Sequence, residues 1–167
     1  MTARIAQALA LLPDYLAWHV LLSFCALGLG LAVSLPLAVA ASRSPRLRWP
    51  LLAFAGFIQT IPSLALLALF YPVLLGLSAA SQALFGKGFS ALGFLPSLLA
   101  ITLYSMLPIL RTATAGILGV DPAVREAADG VGMTARQKLL QVELPLAMPV
   151  IMAGVRTAAV WTIGAAT

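Results

Sequence analysis

Charge is scarce in this chain. Its 167 residues include ten Lys or Arg and five Asp or Glu, so 9% are charged against 62% hydrophobic. Soluble domains carry charge on about a quarter of their residues. A soluble fold of this length cannot hide so much hydrocarbon, so lipid is the solvent for most of the surface. Cysteine is nearly absent too. The single Cys25 excludes an internal disulfide, and its place in an apolar run makes it a packing residue. The single His19 excludes a histidine metal cluster, and its neighbour Trp18 makes the pair an interfacial anchor. One His and five scattered acids assemble no serine–histidine–acid set, so nothing supports catalysis or a bound cofactor. A glycine-rich loop ending in Lys-Ser or Lys-Thr is missing, so any ATP must be hydrolysed by another chain. Alternating ten-residue segments are missing as well, which excludes a transmembrane barrel.

What is present is long and apolar. A bilayer core of about 30 Å takes roughly 20 helical residues. Four runs reach that length: Trp18 to Ala41, Trp49 to a point between Phe70 and Leu77, Phe94 to about Leu118, and Leu146 to Thr167. The fold class is therefore an all-α polytopic membrane protein. Residues 1–17 read as a short interfacial segment, and 18–167 as the transmembrane domain. The net charge of +5 is no nucleic-acid footprint, because arginine in such chains marks cytoplasmic loops. Arg43, Arg46 and Arg48 lie in the first loop, and Arg125, Arg136 and Lys138 in the third. The N-terminal tail has only Arg4 and the second loop only Lys87, so these two face outside and the first and third loops face the cytoplasm.

The first run carries two small-residue stripes, Gly28 with Ala32, and Gly30 with Ser34 and Ala38, which suit close helix packing in lipid. Pro36, Pro62, Pro72, Pro108 and Pro149 are expected to interrupt their spans. Kinks of that kind fit a transport pathway and fit ordinary membrane helices equally well.

The third loop, 119–145, is a polar island. Asp121 is a good N-cap, and Pro122 follows at the first helical position. A short helix is predicted from Pro122 to about Gly130. Ala123, Val124, Ala127, Ala128 and Val131 form one stripe, while Arg125, Glu126 and Asp129 lie away from it, with Arg125 and Asp129 one turn apart. Gly132 suits a left-handed turn. Thr134 and Gln137 then form a capping box for a second short helix, which Pro145 ends. On residues alone this is either a solvated connector or a rigid knob that seats in a soluble partner.

The spacing Glu126-Ala127-Ala128, three residues, Gly132, nine residues, Val142, one residue, Leu144-Pro145 resembles the EAA loop of binding-protein-dependent ABC importer permeases. The resemblance implies that the apolar runs are about four transmembrane helices of a five-helix permease core. It also implies that Glu126, Ala127, Ala128, Gly132, Leu144 and Pro145 belong to the ATPase-coupling loop, whose first short helix seats in a cleft of an ABC ATPase subunit. The partners implied are that ATPase, a second permease chain, identical or not, an extracytoplasmic solute-binding protein, and lipid. Further segments are similar to the osmoprotectant subgroup, permeases for glycine betaine, carnitine and choline. These are Gln59–Leu67, Leu103–Arg111, Val120–Pro122, Val142–Ile151 and Gly154–Ala158, with Thr112 where the subgroup often has Asn. Family members continue past a fourth span, whereas this chain stops at Thr167, which reads as a fragment or truncated product. A permease for another small polar solute, or a remnant acting as a membrane scaffold, are the alternatives.

Polar residues at depth are the candidates for the translocation path. Gln59, Thr60 and Ser63 sit about a turn inside the second span, and intramembrane polar groups tend to face protein or water. Tyr104 and Trp161 offer aromatic faces to a quaternary ammonium, although packing is the commoner role. Arg111 is expected to snorkel to the interface. Arg156 lies about three turns beyond Pro145, where pairing with Gln59, a carbonyl bond or a place along the path are all open. An arginine suits a structural or gating role better than direct contact with a cationic solute.

Overall fold

A computed structural model describes residues 2–165, with side chains from residue 9 onward. The chain forms α1 (Thr2–Arg43), α2 (Pro45–Thr60), α3 (Ser63–Phe85), α4 (Phe94–Leu118), α5 (Pro122–Gly130), α6 (Ala135–Lys138) and α7 (Leu144–Ala165). A π-helical turn, Leu139–Glu143, joins α6 to α7. No strand occurs among the described residues. Four stretches are long and apolar enough to cross a membrane: Leu9–Arg43, Ser63–Phe85, Phe94–Leu118 and Ala135–Ala165. The expected all-α polytopic fold is therefore the one observed. Thr167, where the fourth run was drawn to end, and the Arg4 side chain lie outside the described residues.

α4 is the central helix, packed against α1 on one side and α7 on the other. Small residues make this possible. Of the two stripes on α1, only the one through Gly30, Ser34 and Ala38 is buried, whereas Gly28 and Ala32 face outward. A Cβ on Gly30 would meet the Ser105 Oγ at 1.9 Å, so α1 and α4 approach closely at a point where any added side chain must displace that hydroxyl. α7 repeats the device. A Cβ on Gly154 would lie 1.8 Å from the Thr112 Oγ1 and 2.8 Å from the Pro108 carbonyl oxygen. Such close approach replaces the hydrophobic drive that helices lack in lipid. Ala38, Ala55, Leu110, Ala113, Ile117, Ala147 and Ile151 form the main core cluster where α1, α2, α4 and α7 converge.

The second apolar run is not one span. α2 ends at Thr60, Ile61 is extended with φ −86° and ψ 125°, and α3 starts at Ser63. Pro62 has no N–H to continue the helix, and its ring pushes the preceding residue out of the helical region. The span proper is α3, which extends to Phe85. Pro36, Pro72, Pro108 and Pro149 behave differently from expectation, because each rides inside a helix without ending it. Pro145 does not end a helix either. Chain direction carries through the π turn, where the Leu144 N–H reaches the Leu139 carbonyl five residues back, and Pro145 lies in the first turn of α7. Pro145 has no N–H to continue the ladder, and the π turn just before it is where the ladder shifts register.

At the N-terminus, residues 2–43 form one continuous helix. Its N-terminal half carries Trp18, which meets Phe94 of α4 edge to face with ring centroids 6.0 Å apart.

Candidate functional site

The loop after α4 is built from caps. Asp121 accepts a 2.9 Å bond from the Ala123 N–H, and Pro122 occupies the first turn of α5. The helix ends as expected at Gly130, and Gly132 adopts φ +78°. That conformation lets the Met133 N–H return to the Ala128 carbonyl at 3.1 Å. Thr134 and Gln137 form the reciprocal capping box of α6. These features need only local sequence.

Most of the apolar stripe faces outward. Ala128 is buried, but Ala123, Val124, Ala127 and Val131 are exposed, Val131 at 76%. Arg125 turns inward instead. Its Nη2 donates to the Ile117 carbonyl at the end of α4, and its Nε lies 3.4 Å from the Glu143 Oε1. Arg125 therefore does not pair with Asp129 one turn on. Asp129 is held by the Lys138 Nζ of α6, at 2.5 and 2.7 Å to its two oxygens. The apolar stripe is left facing away from the protein, with Glu126 exposed beside it.

Glu143 is the residue that sequence reasoning passed over. It stands in the π turn at 0% exposure. Arg43, the last residue of α1, grips both of its oxygens, with Nη1 on Oε1 at 3.0 Å and Nη2 on Oε2. The partners are a hundred positions apart in the chain. An acid among apolar neighbours in the sequence was the available signal, because a buried carboxylate needs a partner. Of the remaining coupling candidates, Leu144 is half-buried and packs on the main core cluster, and Pro145 is exposed.

The pathway candidates gather in part at the α2–α3 break. Pro108 of α4 offers no N–H to the Tyr104 carbonyl, four residues back, and the Gln59 Nε2 donates to that oxygen at 3.0 Å. Gln59 thus repairs a proline defect in the neighbouring helix. Thr60 is exposed, with its hydroxyl on the Phe57 carbonyl at 2.7 Å. Ser63 lines a small cavity with Leu22, Leu64, Leu67, Ser97 and Ile101. The Tyr104 ring packs with the Ile58, Leu66 and Ala100 cluster, and its buried hydroxyl has no partner among the described residues. Arg156 lies elsewhere. α7 buries Ile151, Gly154, Ala158 and Thr162, and Arg156 is exposed, off that face. The considered pairing with Gln59 is not formed, and Arg156 makes no hydrogen bond or ion pair among the described residues. Arg111 and Trp161 are exposed as well.

Residues 28–167 match the model of the family described as "Binding-protein-dependent transport system inner membrane component". The chain belongs to that family. It is a family of multi-pass transport components of the inner membrane, in keeping with the four apolar helices. Curated relatives narrow the likeness. The glycine betaine/carnitine/choline transport system permease protein OpuCB of Bacillus subtilis is 39% identical over 149 residues, 89% of this chain and 61% of its own length. The osmoprotectant import permease protein OsmW of Salmonella typhimurium is 40% identical over 146 residues, 87% of this chain and 63% of its own. The carnitine transport permease protein OpuCB of Listeria monocytogenes is 37% identical over 149 residues, with shares of 89% and 61%. The chain thus spans about three-fifths of the length of these relatives.

Proposed function

We infer that this chain is a permease subunit of an ATP-driven importer for osmoprotectants of the glycine betaine, carnitine and choline class. Its helices form part of the translocation path, and α5 seats in a separate ABC ATPase. A second permease chain completes the path, and an extracytoplasmic binding protein delivers the solute. The observation that carries this reading is the exposed apolar run Ala123, Val124 and Ala127 on α5, with Arg125 turned inward behind it. The relatives named above support the solute class.

The coupling loop is tested by Glu126→Lys and Gly132→Leu in the whole permease. Glu126 is exposed, so its reversal leaves the fold intact. Leucine at φ +78° strains the turn by roughly 1–2 kcal/mol, although a Cβ there meets nothing within 4 Å. Both variants are expected to reach the membrane at normal levels, to lose the co-purifying ATPase, and to cut solute uptake at least tenfold. Unchanged co-purification and uptake would refute docking through α5.

The same reading sets the orientation, with α5 in the cytoplasm and the first turns of α1, within residues 1–17, at the outer interface. In a Cys25→Ala background, a cysteine at Gly86 is expected to react with an impermeant thiol reagent in intact cells, and one at Ser44 to be protected. The reverse pattern overturns the orientation.

A further inference from the structure

We propose that Glu143 is a positioning residue that yokes the docking helix α5 to α1, so that displacement of α5 reaches the transmembrane helices through its carboxylate. The inference rests on the permease reading above and adds a route for the coupling.

Three segments meet at this one side chain, and Arg125 ties in a fourth. Arg43 ends α1 and binds both carboxylate oxygens. Arg125 belongs to α5 and lies 3.4 Å from the Oε1, while its Nη2 holds the Ile117 carbonyl at the end of α4. Glu143 itself closes the π turn that leads into α7. α1 and α5 are separated in the chain by α2, α3 and α4, so covalent linkage gives them no short path. The carboxylate supplies one.

A purely structural account does not explain the choice of residue. A well-packed apolar side chain fills such a site at least as stably as an ion pair does, because burying the charges costs solvation. The acid is fully buried while Arg43 and Arg125 keep 43% and 26% of their side chains exposed. Arg43 holds the anion by two hydrogen bonds, whereas Arg125 faces it by charge alone, its buried Nε having no hydrogen-bond partner among the described residues. The π turn places that anion on an element with slack in its hydrogen-bond ladder, a feature that recurs where helices perform a function.

The test uses the complete importer in proteoliposomes, with radiolabelled glycine betaine, carnitine and choline as probes. Three quantities are read: ATPase co-purification, ATP hydrolysis, and solute accumulated per ATP. Glu143→Gln is expected to keep the ATPase bound and hydrolysis within about twofold, while solute per ATP falls at least tenfold. The double variant Arg43→Gln with Glu143→Gln removes the unpaired arginine at α1 as well as the acid. It is expected to recover thermal stability and to stay uncoupled. If the double variant regains both stability and coupling, Glu143 is a folding element only and the proposal fails. If Glu143→Gln transports at the wild-type ratio, the proposal fails while the permease reading stands. If the wild-type protein binds no ATPase and accumulates none of the probes, the permease reading fails and takes this inference with it.

Discussion

The group α1, α4 and α7 and the pair α2–α3 both carry apolar spans, yet they are held in different ways. In the first group glycine faces a side chain or backbone across each crossing, at Gly30 against Ser105 and at Gly154 against Thr112. In the second, α3 meets only one edge of α4 and leaves Leu64, Leu69, Val73, Leu84 and Phe85 exposed at 58 to 79%. Gly76 on α3 has nothing within 4 Å of a Cβ. Hydrophobicity alone therefore does not decide packing in this molecule. Apolar surface is already satisfied by lipid, and what brings two helices together is the chance for their backbones to approach. α1, α4 and α7 form a rigid frame, and α3 is presented to lipid or to another chain.

Glycine replacement breaks this contrast most directly. Gly154→Leu drives a side chain into Thr112 and the Pro108 carbonyl, and neither backbone nor a hydrogen-bonded threonine yields easily. Overpacking of this kind costs about 3 kcal/mol or more. The variant is expected to lose monodisperse protein in detergent and to melt well below the parent. Gly76→Leu makes the equivalent change on α3 and is expected to shift the melting temperature by no more than two or three degrees, an effect of under about 1 kcal/mol. Equal losses at both positions, read by thermal-shift size exclusion, would dissolve the distinction between frame and arm.

The parts of this fold written locally were legible in the sequence. Asp121, Pro122, Gly132, Thr134 and Gln137 each act within a few residues of themselves, and the structure uses every one as expected. The stripe through Gly30, Ser34 and Ala38 was also visible, although Gly28 and Ala32 looked just as suitable and face outward. What local reading missed depends on partners far along the chain. Pro62 breaks a helix and Pro108 does not, and nothing in either tripeptide separates them. At Pro108 the orphaned carbonyl is bonded by Gln59 from the neighbouring helix, a partner 45 positions away. Glu143 needed Arg43, and the stripe on α5 pointed outward because Arg125 found Glu143 and the Ile117 carbonyl instead of Asp129. Periodicity reports that a face exists and leaves open which face is buried.

The smallest effects lie in the loop itself, and they sharpen the contrast between a frame fixed by contact and a knob fixed by caps. Asp121 holds the first turn of α5 by one bond to the Ala123 N–H, and Pro122 already occupies the first helical position, where no donor is lost. Asp121→Ala is therefore expected to cost about 1 kcal/mol, the usual worth of an N-cap. Lys138→Ala removes the bond to Asp129, whose side chain is 56% exposed, and solvent screening holds that loss to about 0.5 kcal/mol or less. Neither change touches the crossings at Gly30 or Gly154, so global melting should move little in either case. Amide exchange over 122–131 separates them, with faster exchange expected for Asp121→Ala and near-parental exchange for Lys138→Ala. If Lys138→Ala loosens α5 as much as the cap variant does, the knob is braced by its ion pair to α6, and the exposed stripe owes its direction to Asp129 as well as to Arg125.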